Sequence, residues 1–294
     1  MGIKTPVLLI IFNRPDTTER VFSAIRQAQP RRLFVAADGP REGRKEEQRC
    51  RAARQVVSKV DWDSEVKTLY QEKNLGCGLG PVTAMNWFFE NVEEGIILED
   101  DCLPHPDFFR FCEELLDYYR DNERIMHISG NNFQHKRKRG NASYYYSAYT
   151  HTWGWATWRR AWKHYNYTCI PIERRAHIWD IQWEISVRAS KGLSILPNVN
   201  LVSNIGHGHP DATHTKAGHG EGSAIHLECL SFPLVHPQNI SVNKAADRYT
   251  QRTYYPTQTV TGAILSQTMN LIPAGVKRAI RGRMPISRKP PANS

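Results

Sequence analysis

Three consecutive acids, Glu99-Asp100-Asp101, close an apolar run that opens at Gly95. A short apolar run bounded by turn residues reads as a buried strand, and α/β sheets bind ligands at the carboxyl ends of their strands. Adjacent carboxylates repel one another unless a cation or hydrogen-bond donors compensate them. The stretch is therefore either a divalent-metal site or an acidic strand-to-loop turn. Two further groups with suitable chemistry also follow apolar runs: Arg14 after Pro6 to Phe12, and Asp38 after Leu33 to Ala37.

More candidates lie downstream. Trp179-Asp180-Ile181-Gln182-Trp183-Glu184 reads as a helix start, with Asp180 near the N-terminus and Glu184 one turn on. His207, His209, His214 and His219 crowd a late loop, at spacings that match no standard zinc pattern. One of them completing a metal shell built elsewhere is the more economical reading. Asn74-Leu75-Gly76-Cys77-Gly78-Leu79-Gly80 opens a helix with glycines, which lets backbone N–H groups approach a phosphate, although it is neither a Walker A loop nor GxGxxG. Tyr144-Tyr145-Tyr146 and the run from His151 to Trp158 supply flat aromatic faces. These are either stacking platforms for sugars or bases, or core.

The elements that must position these residues alternate. Strands are expected at 6–12, 33–37, 66–70 and 95–99, with helices from Pro15, from about Glu42 to Lys59, from the glycine loop and from about Asp107 to Tyr119. Another strand is expected at Met126 to Ser129. A β-α-β-α succession implies an α/β fold with an open, mostly parallel central sheet and helices on both faces, so Arg14, Asp38, Asp100 and Asp101 share one edge.

Bulk properties narrow the function classes. The chain has 294 residues, 40% of them hydrophobic, with 8 Trp, 12 Tyr and 10 Phe, which excludes disorder throughout. Six cysteines without a CxxC pair fit reduced structural thiols rather than a disulfide framework. No apolar stretch reaches bilayer-crossing length and no signal pattern precedes the first strand, so a cytoplasmic location is expected. The net charge of +10 gathers in His135 to Arg139 and in a tail from Lys277 to Lys289 with six Lys or Arg and no acid. Without aromatic interleaving this does not read as nucleic-acid binding. The tail is either a solvated extension or a peripheral contact for the inner face of an anionic membrane.

The order of these features resembles the GT-A fold glycosyltransferases, in particular the N-acetylglucosaminyltransferase I family and its bacterial relatives in surface-polysaccharide synthesis. The likeness rests on Asn13-Arg14-Pro15, Asp38, Glu99-Asp100-Asp101 followed by Leu103-Pro104-His105-Pro106-Asp107-Phe108-Phe109, Gly154-Trp155, Trp179-Asp180 and the late histidines, and covers roughly residues 5–235. It implies a Rossmann-like GT-A sheet and a metal-dependent, inverting hexosyl or N-acetylhexosaminyl transfer from a UDP-sugar to a saccharide or glycolipid hydroxyl. Asp101 resembles the ligand of Mn²⁺ or Mg²⁺, and Glu99 and Asp100 resemble partners of the sugar and ribose hydroxyls. Arg14 resembles the diphosphate partner and Asp38 the acid that reads uracil. His214 resembles the histidine near the metal, and Asp180 the catalytic base. Ile181-Gln182 stands between Asp180 and Trp183 where the eukaryotic element reads Trp-Asp-Asp-Trp, which leaves Glu184 as a second candidate base.

The implied division is a glycosyltransferase domain over 1–240, with a nucleotide-binding half 1–125 and an acceptor-binding half 126–240, and a C-terminal extension over 241–294. Two other readings compete. A sugar-1-phosphate nucleotidyltransferase would need a basic glycine-rich loop directly after the first strand, where Arg14-Pro15-Asp16 stands. A non-catalytic membrane or nucleic-acid surface binder would depend on the basic tail.

Overall fold

The computed structural model describes residues 2–169, 179–209 and 225–254. His214, His219 and the basic tail from Lys277 lie outside the described residues. The chain divides into two compact units, Met1–Asp247 and Arg248–Ser294. Of the second, only the helical residues 248–254 are described.

The first unit is an α/β structure built on one eight-stranded sheet. Its strands are β1 (Val7–Ile11), β2 (Arg32–Ala37), β3 (Glu65–Tyr70), β4 (Glu94–Glu99), β6 (Ile125–Ser129), β7 (Tyr144–Ser147), β8 (Trp155–Trp158) and β9 (Leu193–Pro197). They are ordered β3-β2-β1-β4-β8-β6-β9-β7. Four of the seven strand pairs are parallel, so the expected mostly parallel sheet is present. The departures from a purely parallel sheet are β8, which runs antiparallel between β4 and β6, and the edge strand β7, antiparallel to β9. A second, two-stranded sheet pairs β5 (Cys102–Pro104) with β10 (Val202–Asn204).

Helices α1 (Pro15–Ala28), α2 (Glu47–Val57), α3 (Gly76–Asn91), α4 (Pro106–Tyr118), α5 (Arg159–Trp162), α6 (Trp179–Ala189) and α7 (Lys244–Tyr254) complete the described elements. The period-2 alternation of β1 sorts them into layers. Val7, Leu9 and Ile11 pack with Val21, Phe22 and Ile25 of α1, with Val56 of α2 and with Phe108 and Leu115 of α4. Leu8, from the opposite face, packs with Met85 and Phe88 of α3 and Trp183 of α6. Helices therefore cover both faces, as the alternating sequence pattern requires.

The aromatic runs resolve mostly as core. Tyr144, Tyr145 and Tyr146 form β7, Trp155 and Trp158 bound β8, and all five are buried. Rings at these positions fill the space between sheet and helices, so they are not stacking platforms. Trp155 stacks on Trp179 at 5.9 Å and joins β8 to the start of α6. That packing fixes where the first turn of α6 lies against the sheet.

Candidate functional site

Strand β1 ends at Ile11, and α1 starts at Pro15, whose missing N–H costs nothing at that position. Arg14 is thereby the N-cap residue, and its carbonyl accepts from Thr18 N at 3.0 Å and Thr18 Oγ1 at 2.6 Å. The neighbouring β4 pairs in parallel with β1 and ends in the three acids. The Arg14 guanidinium bridges this seam: it pairs with Asp100 and donates to Asp101 Oδ2 at 2.9 Å. Asp100 Oδ2 also accepts from Phe12 N at 3.2 Å.

Charge in this corner is out of balance. Burial, opposed by Arg14, pushes Asp100 up to about 6. Burial and then the charges of Asp101 and Asp100 push Glu99 up to about 8. Arg14 is held charged by Asp100 and Asp101 although burial works against it. Three carboxylates against one guanidinium leave a formal charge of −2, which one divalent cation would match.

The antiparallel β5–β10 pair brings a second segment onto Asp101. Ile205 N donates to the Asp101 carbonyl at 2.7 Å, and Gly206 follows. A Cβ at Gly206 would lie 2.3 Å from Asp101 Oδ2 and 2.7 Å from Arg14 Nη1, so any side chain there would displace the paired carboxylate and guanidinium. His207 comes next, and its Nε2 is buried without a hydrogen-bond partner among the described residues. Burial lowers the His207 pKa, and the charge of Asp101 counters part of that. Of the two late-loop histidines among the described residues, His207 is the one within reach of Asp101's field. His209 contacts Asp16 at 3.2 Å instead.

Asp38 ends β2 on the same sheet edge. Its Oδ1 accepts from Gly39 N and Leu75 N, both at 2.8 Å. Its Oδ2 accepts from Asn74 Nδ2 at 2.9 Å and Gly76 N at 3.0 Å. Burial raises its pKa, and these backbone donors oppose the rise. Asp38 thus fastens the glycine-rich start of α3, where Gly76 holds φ at +79°, a value that favours glycine.

These residues line a cavity of about 590 Å³. Arg14, Asp38, Glu99, Asp100 and Asp101 lie on its wall together with Asp180 from the first turn of α6. Asp180 is exposed, and its charge contributes to raising Glu99. Glu184 does not line the cavity. It pairs with Arg188 at 3.0 Å, and burial, opposed by Arg188, pushes it up to about 7. Trp153 of the His151–Trp158 run and Trp179 at the start of α6 are the indoles that reach the cavity.

The chain matches no family model and no curated protein. Among solved structures it is similar to the S. aureus TarS segment 1–349, with 10% identity over 68% of this chain and 60% of that one, at a TM-score of 0.45. It is also similar to the mannosyltransferase PcManGT from Pyrobaculum calidifontis in complex with GDP-Man and Mn²⁺, with 16% identity over 53% of this chain and 45% of that one, at 0.38. A third is a cytidylyltransferase from Leptospira borgpetersenii, with 12% identity over 63% of this chain and 74% of that one, at 0.39. With TM-scores below 0.5, these likenesses say nothing of what this chain binds.

Two residues of the site, Arg41 and Gly206, were not legible in the sequence. Arg41 also lines the wall, lies over the Phe12 ring at 5.4 Å and pairs with the buried Glu46. Glu46 in turn accepts from Asn13 Nδ2 at 3.1 Å. Arg41 stands four residues after the end of β2, so its place beyond a strand end was the available signal. Gly206 carried none, because its role is the absence of a side chain.

Proposed function

We propose that the chain is a metal-dependent, inverting GT-A glycosyltransferase that moves a sugar from a UDP-sugar to a saccharide or glycolipid hydroxyl, in bacterial surface-polysaccharide synthesis. The observation that carries this reading is the single cavity lined by Arg14, Asp100 and Asp101 on the β1–β4 seam, by the glycine-rich start of α3 and by Asp180. On this reading the acids would hold a cation, the helix start would tolerate the diphosphate and Asp180 would act as the base, all around one space.

The residues present fit a divalent cation. Carboxylate oxygens of Asp101 and the unpartnered Nε2 of His207 would together offer oxygen and nitrogen donors, a mix that suits Mn²⁺ better than Mg²⁺. The cleared space at Gly206 keeps Asp101 unobstructed. His207 joins His214, which lies outside the described residues, as a candidate for the histidine near the metal. When bound, the cation would neutralise charge on the leaving diphosphate.

Arg14 would add a second positive charge beside the diphosphate while orienting Asp100 and Asp101 through its ion pairs. Glu99 and Asp100 would meet sugar and ribose hydroxyls. Asp38, through the loop it fastens, would shape the pocket for the uracil end of the donor. In the transfer step the acceptor oxygen forms a bond to the anomeric carbon as the bond to the diphosphate breaks. Asp180 receives the acceptor's proton. One such displacement inverts the anomeric centre.

The reading includes a catalytic domain over 1–240, with nucleotide-binding and acceptor-binding halves meeting at 125/126, and a C-terminal extension whose basic tail is either solvated or a peripheral contact for an anionic membrane surface. Among the described residues no helix is long and apolar enough to cross a membrane. The test is Mn²⁺-dependent release of UDP from a panel of UDP-sugars, with GDP-sugars and nucleoside triphosphates as controls. Release from the UDP series alone, abolished by chelation, supports the reading. Pyrophosphate formation from a triphosphate and a sugar-1-phosphate would replace it with nucleotidyl transfer.

A further inference from the structure

Outside the cavity, two segments far apart in sequence bring together three donors of metal-ligand type. His105 is the N-cap of α4, Asp107 lies in its first turn, and Cys229 comes from the segment that starts at Ile225. One ligand atom from each lies within 4.8 Å of the other two. The imidazole stands between its partners: Cys229 Sγ is 3.7 Å from His105 Nε2, and Asp107 Oδ2 is 3.3 Å from His105 Nδ1. None of the three lines the cavity.

We propose that His105 and Cys229, backed by Asp107, form a second metal site, selective for a zinc-class divalent ion. A tetrahedral ion with bonds of about 2.1 Å to nitrogen and 2.3 Å to sulfur separates the two ligand atoms by roughly 3.6 Å. The observed 3.7 Å needs no rearrangement to meet that. His105 Nδ1 accepts the cap bond from Asp107 N at 3.2 Å; with the ion on Nε2 the ring proton moves to Nδ1 and is donated to Asp107 Oδ2, 3.3 Å away, in place of that cap bond. A carboxylate behind a ligating histidine fixes its tautomer and raises its basicity. Asp107 is itself held, because Oδ2 accepts from Leu230 N at 2.9 Å. Cys229 is exposed, which provides an entry path and leaves the remaining positions to water.

Charge and donor softness both favour this occupant. A thiolate, a carboxylate and a dication sum to zero, so the positive end of α4 does not oppose the ion. Sulfur and imidazole select zinc over the magnesium or manganese that the oxygen-rich cavity site would take. The ion would staple the 225–232 segment to the start of α4, where Arg110 already covers the Phe232 ring at 4.0 Å.

The test is cobalt titration of the full, reduced, chelator-treated chain, read in the near ultraviolet. Wild type should develop a thiolate-to-cobalt charge-transfer band that saturates at one equivalent. Cys229→Ser, at an exposed position that should fold normally, should show no band. Asp107→Asn should keep the band and weaken affinity by about 10–100-fold, the usual effect of losing a partner behind a ligand. Asp101→Asn should leave the band unchanged, which separates this site from the cavity. No band in wild type, or a band that persists in Cys229→Ser, would overturn the proposal whether or not the chain transfers sugars.

Discussion

Arg14 Nη1 donates to Asp101 Oδ2 at 2.9 Å across the seam between β1 and β4, so the last acid of the strand end is oriented by the residue that caps the first helix. The pair depends on free space at the turn after β10. Gly206→Ala should push a methyl group into both partners without removing either. The expected result is at least a tenfold loss of Mn²⁺-dependent nucleotide binding and a stability loss of about 1–3 kcal/mol, typical of overpacking. Calorimetric binding and chemical denaturation measure the two effects.

Asp38 accepts four hydrogen bonds from Gly39, Asn74, Leu75 and Gly76. Asp38→Ala should therefore free the start of α3 as well as alter the pocket. A stability loss of about 2–4 kcal/mol is expected, given about 1.5–3 kcal/mol for a hydrogen bond to a charged group and partial replacement by water. In steady-state kinetics the donor KM should rise more than kcat falls. An unchanged melting temperature would show that the loop does not depend on this carboxylate.

Asp180 faces the cavity and Glu184 is paired with Arg188, which separates the two candidate bases. Asp180→Asn should bind donor normally and lose about 10²–10⁴-fold in kcat, the range for removing a general base. Glu184→Gln should retain turnover. The reverse pattern would reassign the base to Glu184.

His127 gives a stability prediction independent of the site. It is fully buried, its Nε2 meets the His151 carbonyl at 2.9 Å, and Trp183 Nε1 donates to its Nδ1 at 3.1 Å. Burial lowers its pKa from 6.5 to about 3. Below pH 6.5 the unfolded chain takes up a proton that the folded chain refuses. Stability should thus be intact above pH 6.5 and fall by up to about 1.4 kcal/mol per pH unit as pH drops toward 3. His127→Gln, which can keep both hydrogen bonds, should make that acid limb shallower in denaturation series across pH, leaving the share of His151, whose pKa burial lowers to about 4.

The parallel half of the sheet was legible because β1, β2 and β4 are buried on both faces and read as continuous apolar runs. The grouping of Arg14, Asp38, Asp100 and Asp101 followed from that, since each comes just after a strand. β7, β8 and β9 were not legible. Tyr144 to Tyr146 and Trp155 to Trp158 carry strand and platform signals alike, and only pairing with distant segments decides between them. The contacts of Arg41 with Glu46 and of His105 with Cys229 escaped for another reason. Polar partners are chosen by loop geometry, which hydrophobic periodicity does not encode.

The most direct measurement is calorimetric titration of UDP into the wild-type chain and Asp101→Asn, each with and without Mn²⁺. The account predicts that UDP binds wild type tightly only when Mn²⁺ is present, that ATP and NAD do not substitute, and that Asp101→Asn removes the Mn²⁺ dependence. UDP binding that is indifferent to Mn²⁺ or unchanged in Asp101→Asn would contradict it.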